Sequence, residues 1–345
     1  MPFMNRAPRA LMASLVLQGL CLLGCRPARV VTFGASAPLT VRRPALYPET
    51  IEYDSRDDKF LLGSFRDGAI YEVDRAGRAS LRVDDPRLCS VLGIAVDAER
   101  GRLWAVNSDL GASIKPSAAG PKQLAAVGIY DRASGKALAY VDLAPLALGP
   151  HLLNGIAVDA QGNAYVTDSF SPIIYKIDGD FRPSIFVHDD RFLGEGINLN
   201  GIVVHPDGFL LVVKKSDGAL FRIPLAHPGQ LSRVAISRQL VGGDGLTLIG
   251  KRDLVVIANR TPQVTANVAY ALSSDDGWIT AKLAATQPLG DVYPTTAVLR
   301  DDTLYVVQSK LNELIAASDE KKSALREEAT IRPIARVVRS RSHGP

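Results

Sequence analysis

One pattern recurs along this chain and constrains its fold more than any other feature. In residues 151–170, HLLNGIAVDAQGNAYVTDSF, a polar residue and a glycine lead into a short apolar run, a turn carrying Gly162 and Asn163 follows, and a second apolar run comes after it. That reads as two short strands joined by a tight turn. The pattern returns at 92–97 with 103–106, at 199–204 with 209–213, and at 244–248 with 253–257. Weaker copies stand at 51–54 with 60–62 and at 296–299 with 303–307. The equivalent apolar positions Ile51, Ile94, Ile156, Ile202 and Leu246 lie about 40 to 50 residues apart, except for a longer interval before Ile156 that fits an inserted loop. Repeats of this length, each holding several short strands, are propeller blades. Six copies predict an all-β, six-bladed β-propeller, with four-stranded antiparallel blades around a central channel.

Composition enters where it excludes something. The chain has 345 residues, 47% of them hydrophobic, enough for the large core a propeller needs. The formal net charge is +4, and no basic run is interleaved with aromatics, so nucleic acid is not an expected partner.

The N-terminus follows a different logic. Arg6 and Arg9 precede an apolar run over 10–23 that is too short to span a bilayer and ends in Leu22-Leu23-Gly24-Cys25. This resembles the bacterial lipoprotein box, which implies a signal segment over 1–25, a lipid on Cys25, and membrane contact through that lipid alone. A plain signal peptide or an N-terminal anchor is the alternative. Arg26 rather than an aspartate follows the cysteine, so the expected location is the outer membrane, facing the periplasm. Residues 26–43 read as a tether whose apolar part, 30–33, would close the ring against the last blade; 44–340 read as the propeller, with the final residues frayed. Of three cysteines, Cys21 leaves with the signal and Cys25 takes the lipid. Cys89 then stands alone, expected as a buried apolar side chain and not a catalytic thiol.

Two further segments stand out. Residues 107–126 are rich in Ser, Gly, Ala and Pro and form a long loop in blade two, either a cover over one face or an excursion into solvent. Residues 319–328 are polar and helix-permissive, expected as a surface helical turn before a final strand over 329–338.

The repeat also locates the chemistry. The residue before each innermost strand converges on the axis: Glu49, Asn154, Asn200 and Asp244 in blades one, three, four and five, with Leu92 and Thr295 or Thr296 in the other two. Two carboxylates and two amide oxygens form an all-oxygen set suited to Ca²⁺, expected as a single ion on the axis. Ligands that favour zinc are missing from it. Taken singly, each is also an ordinary turn residue.

These residues carry a resemblance. The order Glu49, Asn154, Asn200, Asp244, with Tyr47-Pro-Glu-Thr-Ile-Glu-Tyr-Asp54 and Asn154-Gly-Ile-Ala-Val-Asp159, is similar to calcium-dependent six-bladed propellers: the senescence marker protein/gluconolactonase family, the paraoxonases and diisopropyl fluorophosphatase. The likeness covers about residues 48–308. It implies hydrolysis of a small lactone, ester or organophosphate, with calcium polarising the substrate and Asp244 as ligand and general base or nucleophile. The alternative it leaves is a non-catalytic binding module holding a structural calcium. The chain departs from the paraoxonases and diisopropyl fluorophosphatase in its histidines. His151, three residues before Asn154, is the nearest candidate base, against the plainer reading of a surface histidine.

The ends of the second strands should wall the pocket. Arg66, Asn107, Asp168, Lys214, Lys215, Arg260 and Lys310 stand there as candidate substrate-binding residues, and their cations suggest an anionic small-molecule substrate. Only alternate residues of each pair can point inward.

Overall fold

The computed structural model describes residues 29–34, 37–291, 293–322 and 329–339. The signal segment and Cys25 lie outside them, as do 323–328 and the last residues of the chain. Six antiparallel sheets are arranged as the blades of a propeller. Blade one is Pro48–Asp54, Lys59–Ser64, Ala69–Val73 and Ala79–Asp84. Blade two is Ser90–Asp97, Arg102–Ser108, Ala125–Asp131 and Ala137–Asp142. Blade three is Leu153–Val158, Ala164–Asp168, Ile173–Ile177 and Pro183–His188. The first strands of successive blades pack side by side, the sixth against the first, and so enclose the axis.

Blade four, Leu199–His205, Phe209–Lys214 and Leu220–Pro224, has an outer strand of only two residues, Ser232–Arg233. The chain then crosses to blade five, where Ala235–Ile236 pairs in parallel with Thr280–Pro288. The rest of blade five is Gly243–Ile249, Asp253–Ala258 and Val268–Ser273. Blade six combines Tyr293–Arg300, Thr303–Ser309 and Ala329–Arg339 with the N-terminal Arg29–Phe33 as its outer strand. Leu39–Val41 pairs with the other end of Ala329–Arg339. The ring is therefore closed by backbone hydrogen bonds between the two ends of the described chain. The polar segment before the last strand begins as Leu311–Ala316 and Asp319–Lys322, both helical.

Burial follows strand position. Phe209–Lys214, sandwiched between neighbouring blades, is buried at every residue and reads as a near-continuous apolar run. Thr280–Pro288 lies near the outside of its sheet and alternates between covered and exposed residues.

Candidate functional site at the propeller axis

The residues expected just before each first strand lie inside it, which corrects their placement and explains their direction. In all six blades the register of the first pair slips at the same place: after Pro48, Val91, Leu153, Leu199, Gly243 and Pro294. The residues that open these bulges are Glu49, Leu92, Asn154, Asn200, Asp244 and Thr295. A bulge adds a residue to one strand and re-aims a side chain. In four blades the next residue is glycine, and the space requires it. A Cβ on Gly155 would lie 2.5 Å from the Asn200 carbonyl oxygen, and one on Gly201 would lie 2.2 Å from that of Asp244. Each bulge thus presses against the bulge of the next blade, and Thr296 Oγ1 donates to the Glu49 carbonyl at 3.2 Å to complete the ring.

A second ring is formed by residues at equivalent places at the ends of the second strands: Phe65, Ser108, Ser169, Lys215, Asn259 and Ser309. The three serines donate to the first strand of the following blade: Ser108 to the Leu153 carbonyl, Ser169 to Leu199 and Ser309 to Pro48. At the same position in blade four the side chain is a lysine. It is long enough to reach further, and its ammonium donates to Asp244 Oδ2 of blade five at 2.6 Å. It also donates to Asn259 Oδ1, while Asn259 Nδ2 donates to the same Asp244 oxygen and, at 3.1 Å, to the Pro294 carbonyl. Tyr293 stands alongside, its ring centre 5.8 Å from the ammonium.

Electrostatics place Glu49 in this group. Blades one and five are separated by blade six, so Glu49 and Asp244 interact only where the axis brings them together. Burial, then the Asp244 charge, pushes the Glu49 carboxyl well above its ordinary range, with Lys215 pulling the other way. Burial alone would lower the Lys215 pKa, but Asp244, Tyr293 and Glu49 outweigh it and hold the ammonium above its usual value. One cation thus stands beside one carboxylate, and Glu49 is the carboxyl whose neutral form the surroundings favour.

The donor set does not fit a calcium ion as folded. The Lys215 nitrogen stands from Asp244 Oδ2 at about the distance of a calcium–oxygen bond, and Asn259 occupies the same oxygen. Asn154 donates from Nδ2 to Ser169 Oγ at 3.3 Å, a bond that uses the amide nitrogen and not its oxygen. Among the described residues no group of three or more His, Cys, Asp or Glu side chains is placed to hold a metal.

The other candidate residues divide by strand alternation. Lys215 faces the hub, whereas Lys214 donates to the carbonyls of Arg191 and Leu193 and to Asp217. Asn107 accepts from Cys89 N–H and donates to the Arg87 carbonyl and the Tyr140 hydroxyl. Asp168 accepts from the backbone N–H groups of Leu152, Phe170 and Ser171. These three fasten connecting segments. His151 is buried, not on the surface: Nδ1 is 2.7 Å from Asp168 Oδ2 and Nε2 is 3.2 Å from the Ala147 carbonyl, so both nitrogens are engaged. Arg66 donates to the Ala112 carbonyl and Arg260 to that of Asp291, while Lys310 is exposed ahead of Leu311–Ala316. Cys89 is buried, and burial raises its thiol to about 11.

The long loop of blade two is ordered. Asp109 accepts from Gly111 N–H at 2.6 Å and from the Ser117 hydroxyl at 2.9 Å, and Ile114 N–H donates to the Arg66 carbonyl. Its Ala112 packs in one apolar cluster with Tyr47, Phe65, Leu92, Leu311 and Leu314. On the other side of the hub, the first strands line an axial cavity of about 550 Å³. Its walls include Ile94, Ile156, Ile202, Leu246 and Leu248, and it reaches Thr50, Asn200 and Thr296 beside the hub. Glu52 also lines it, and burial raises that carboxyl to about 7. Neither Glu52 nor Tyr293 was legible as a site residue. Lys215 was, but its role required noticing a lysine where other blades carry serine.

No family model and no curated protein sequence matches the chain. Solved structures do. The Mala s 1 allergen of Malassezia sympodialis superposes with a TM-score of 0.69 at 17% identity, over 90% of this chain and 99% of that one. What is shared with these structures is the fold, here a six-bladed propeller. A protein described as a gluconolactonase matches over 90% of this chain and all of its own, with a TM-score of 0.57 at 14% identity. A luciferin-regenerating enzyme matches with the same TM-score and identity, over 86% of this chain and 95% of that one. At these identities the gluconolactonase-like likeness is one of architecture.

Proposed function

We propose that this propeller is a hydrolase of a small lactone or ester, working at the axial hub with Lys215 as its fixed positive charge. The observation that carries this reading is the Lys215–Asp244 pair, buried where six bulged strands converge, next to an axial cavity that extends to Thr50, Asn200, Gly245 and Thr296. A substrate entering by the cavity would lay its apolar body along Ile94, Ile156, Ile202 and Leu246 and turn its carbonyl toward the ammonium. A preorganised cation in a water-poor site stabilises the negative charge that develops on that oxygen. Water supplies the attacking oxygen: as it bonds to the acyl carbon and the acyl–oxygen bond breaks, the Glu49 carboxyl, whose pKa is raised by burial and then by Asp244, gives its proton to the departing alkoxide and takes one back from the added water. Asp244 holds Lys215 in place. The gluconolactonase-like architecture agrees with this chemistry.

A second reading is a binding module of the same fold. The observation favouring it is that the Lys215 ammonium already has partners in Asp244 and Asn259. Assay of the purified chain against a panel of lactones and aryl esters separates the two. The hydrolase reading expects turnover that falls on the order of 10²- to 10³-fold in Lys215→Met, with the fold intact by circular dichroism. No turnover across the panel, with saturable binding of a panel member, supports the module instead.

A further inference from the structure

We infer that Lys215 takes the place of the axial metal ion, its tethered ammonium doing the charge-neutralising work, so that the hub is metal-independent and removal of this one side chain opens a calcium site. The inference rests on the hub geometry and not on the hydrolase reading.

Three observations converge on it. The first is position. Lys215 occupies a ring place that three other blades give to serine, and the ammonium ends 2.6 Å from the carboxylate of the following blade. The second is fixation. Asn259 holds both members of the pair at once and is itself anchored on the Pro294 carbonyl. The Lys215 backbone is fixed at both ends, its N–H donating to the Asn198 carbonyl at 2.8 Å and its own carbonyl accepting from Gly242 N–H at 2.9 Å. Lys214, next to it, is held elsewhere by the Arg191 and Leu193 carbonyls, so only one of the adjacent cations is delivered to the axis.

The third observation is charge. A divalent ion would balance both Glu49 and Asp244, whereas a single ammonium balances one. An ammonium also needs fewer acceptors than calcium, which takes six to eight oxygens. Leu92 in the bulge of blade two, apolar where a cage would need oxygen, suits the smaller demand. Without Lys215, the buried Asp244 carboxylate and the Glu49 carboxyl that feels its charge would have no cation between them. An uncompensated buried charge of that kind is strongly destabilising, and a hard cation among hard oxygens relieves it.

The test is calorimetric titration of Ca²⁺, with thermal melting in calcium and in chelator, on the full chain and on Lys215→Ala. The natural chain is expected to give no binding heat and the same melting temperature in both conditions. Lys215→Ala is expected to melt lower in chelator, to recover in millimolar calcium, and to give saturable calcium binding heat. The double variant Lys215→Ala/Asp244→Asn should lose that response. Calcium binding to the natural chain that disappears in Asp244→Asn overturns the inference. So does a folded Lys215→Ala indifferent to calcium. If Lys215→Ala fails to fold, Lys215→Met refolded with and without calcium answers the same question: recovery only with calcium supports the inference, and equal recovery overturns it. No readout involves turnover, so a failed lactone and ester panel leaves this result standing.

Discussion

At the scale of single residues, buried charge is arranged in two distinct ways. The hub pairs Lys215 with Asp244, while burial and then the Asp244 charge push the Glu49 carboxyl upward, a divergence that two carboxylates in one site commonly show. His151 and Asp168 form the other arrangement. Both ring nitrogens face oxygen, one a carboxylate and one a carbonyl, so the cationic ring carrying both protons satisfies both contacts. The hydrogen bond from Asp168 raises the His151 pKa against the opposing effect of burial. A histidine pKa raised by folding adds stability that is fully present below the unfolded value of about 6.5 and is lost as pH rises through the folded value. Replacing His151 with Gln should therefore cost on the order of 1–2 kcal/mol at pH 5.5 and clearly less at pH 9, measured by urea denaturation at both.

At the scale of elements, the bulged first strand is the unit that creates the site. Its extra residue turns toward the axis, and the glycine behind it lets the next blade approach. Gly201 is the most demanding case, because an added methyl would lie 2.2 Å from the Asp244 carbonyl oxygen and 2.9 Å from Leu246 N. Backbone atoms cannot yield as a flexible side chain would. Gly201→Ala should cost about 2–4 kcal/mol and shift Asp244 relative to Lys215. Loss of melting temperature together with a changed response to Lys215 substitution would show the two effects at once. The same elements account for the residues that leave the axis. In blade four, Lys215 goes to the hub and its neighbour Lys214 secures a connecting segment.

At the scale of the whole molecule, the disc depends on its closure. Blade six takes its outer strand from the N-terminal side, with Val31 opposite Val337, and Thr40 opposite Thr330 further along the same strand. Removing that strand would leave Ala329–Arg339 as a long unpaired edge, open to pairing with other chains. Deleting residues 1–41 should lower the melting temperature on the order of 10 °C and produce soluble aggregates, read by thermal melting and size-exclusion chromatography. Closure also bears on the hub, since Glu49 of blade one and Thr296 of blade six meet across the seam.

The sequence by itself determined the number of blades, the hairpin at the heart of each, and the equivalence of Glu49, Asn154, Asn200 and Asp244, because a repeat is a local pattern legible residue by residue. It also required that only one of two adjacent strand residues face inward, since side chains alternate along a strand. What those residues meet was decided by tertiary structure alone. Lys215 and Asp244 lie 29 positions apart, in different blades, and no local spacing announces that a lysine in one will extend to a carboxylate in the next. The bulge that turns Asp244 inward is likewise a property of pairing and not of composition. The axis received an ammonium where the residue types alone called for a metal, because charge partners are chosen by distance in the folded ring.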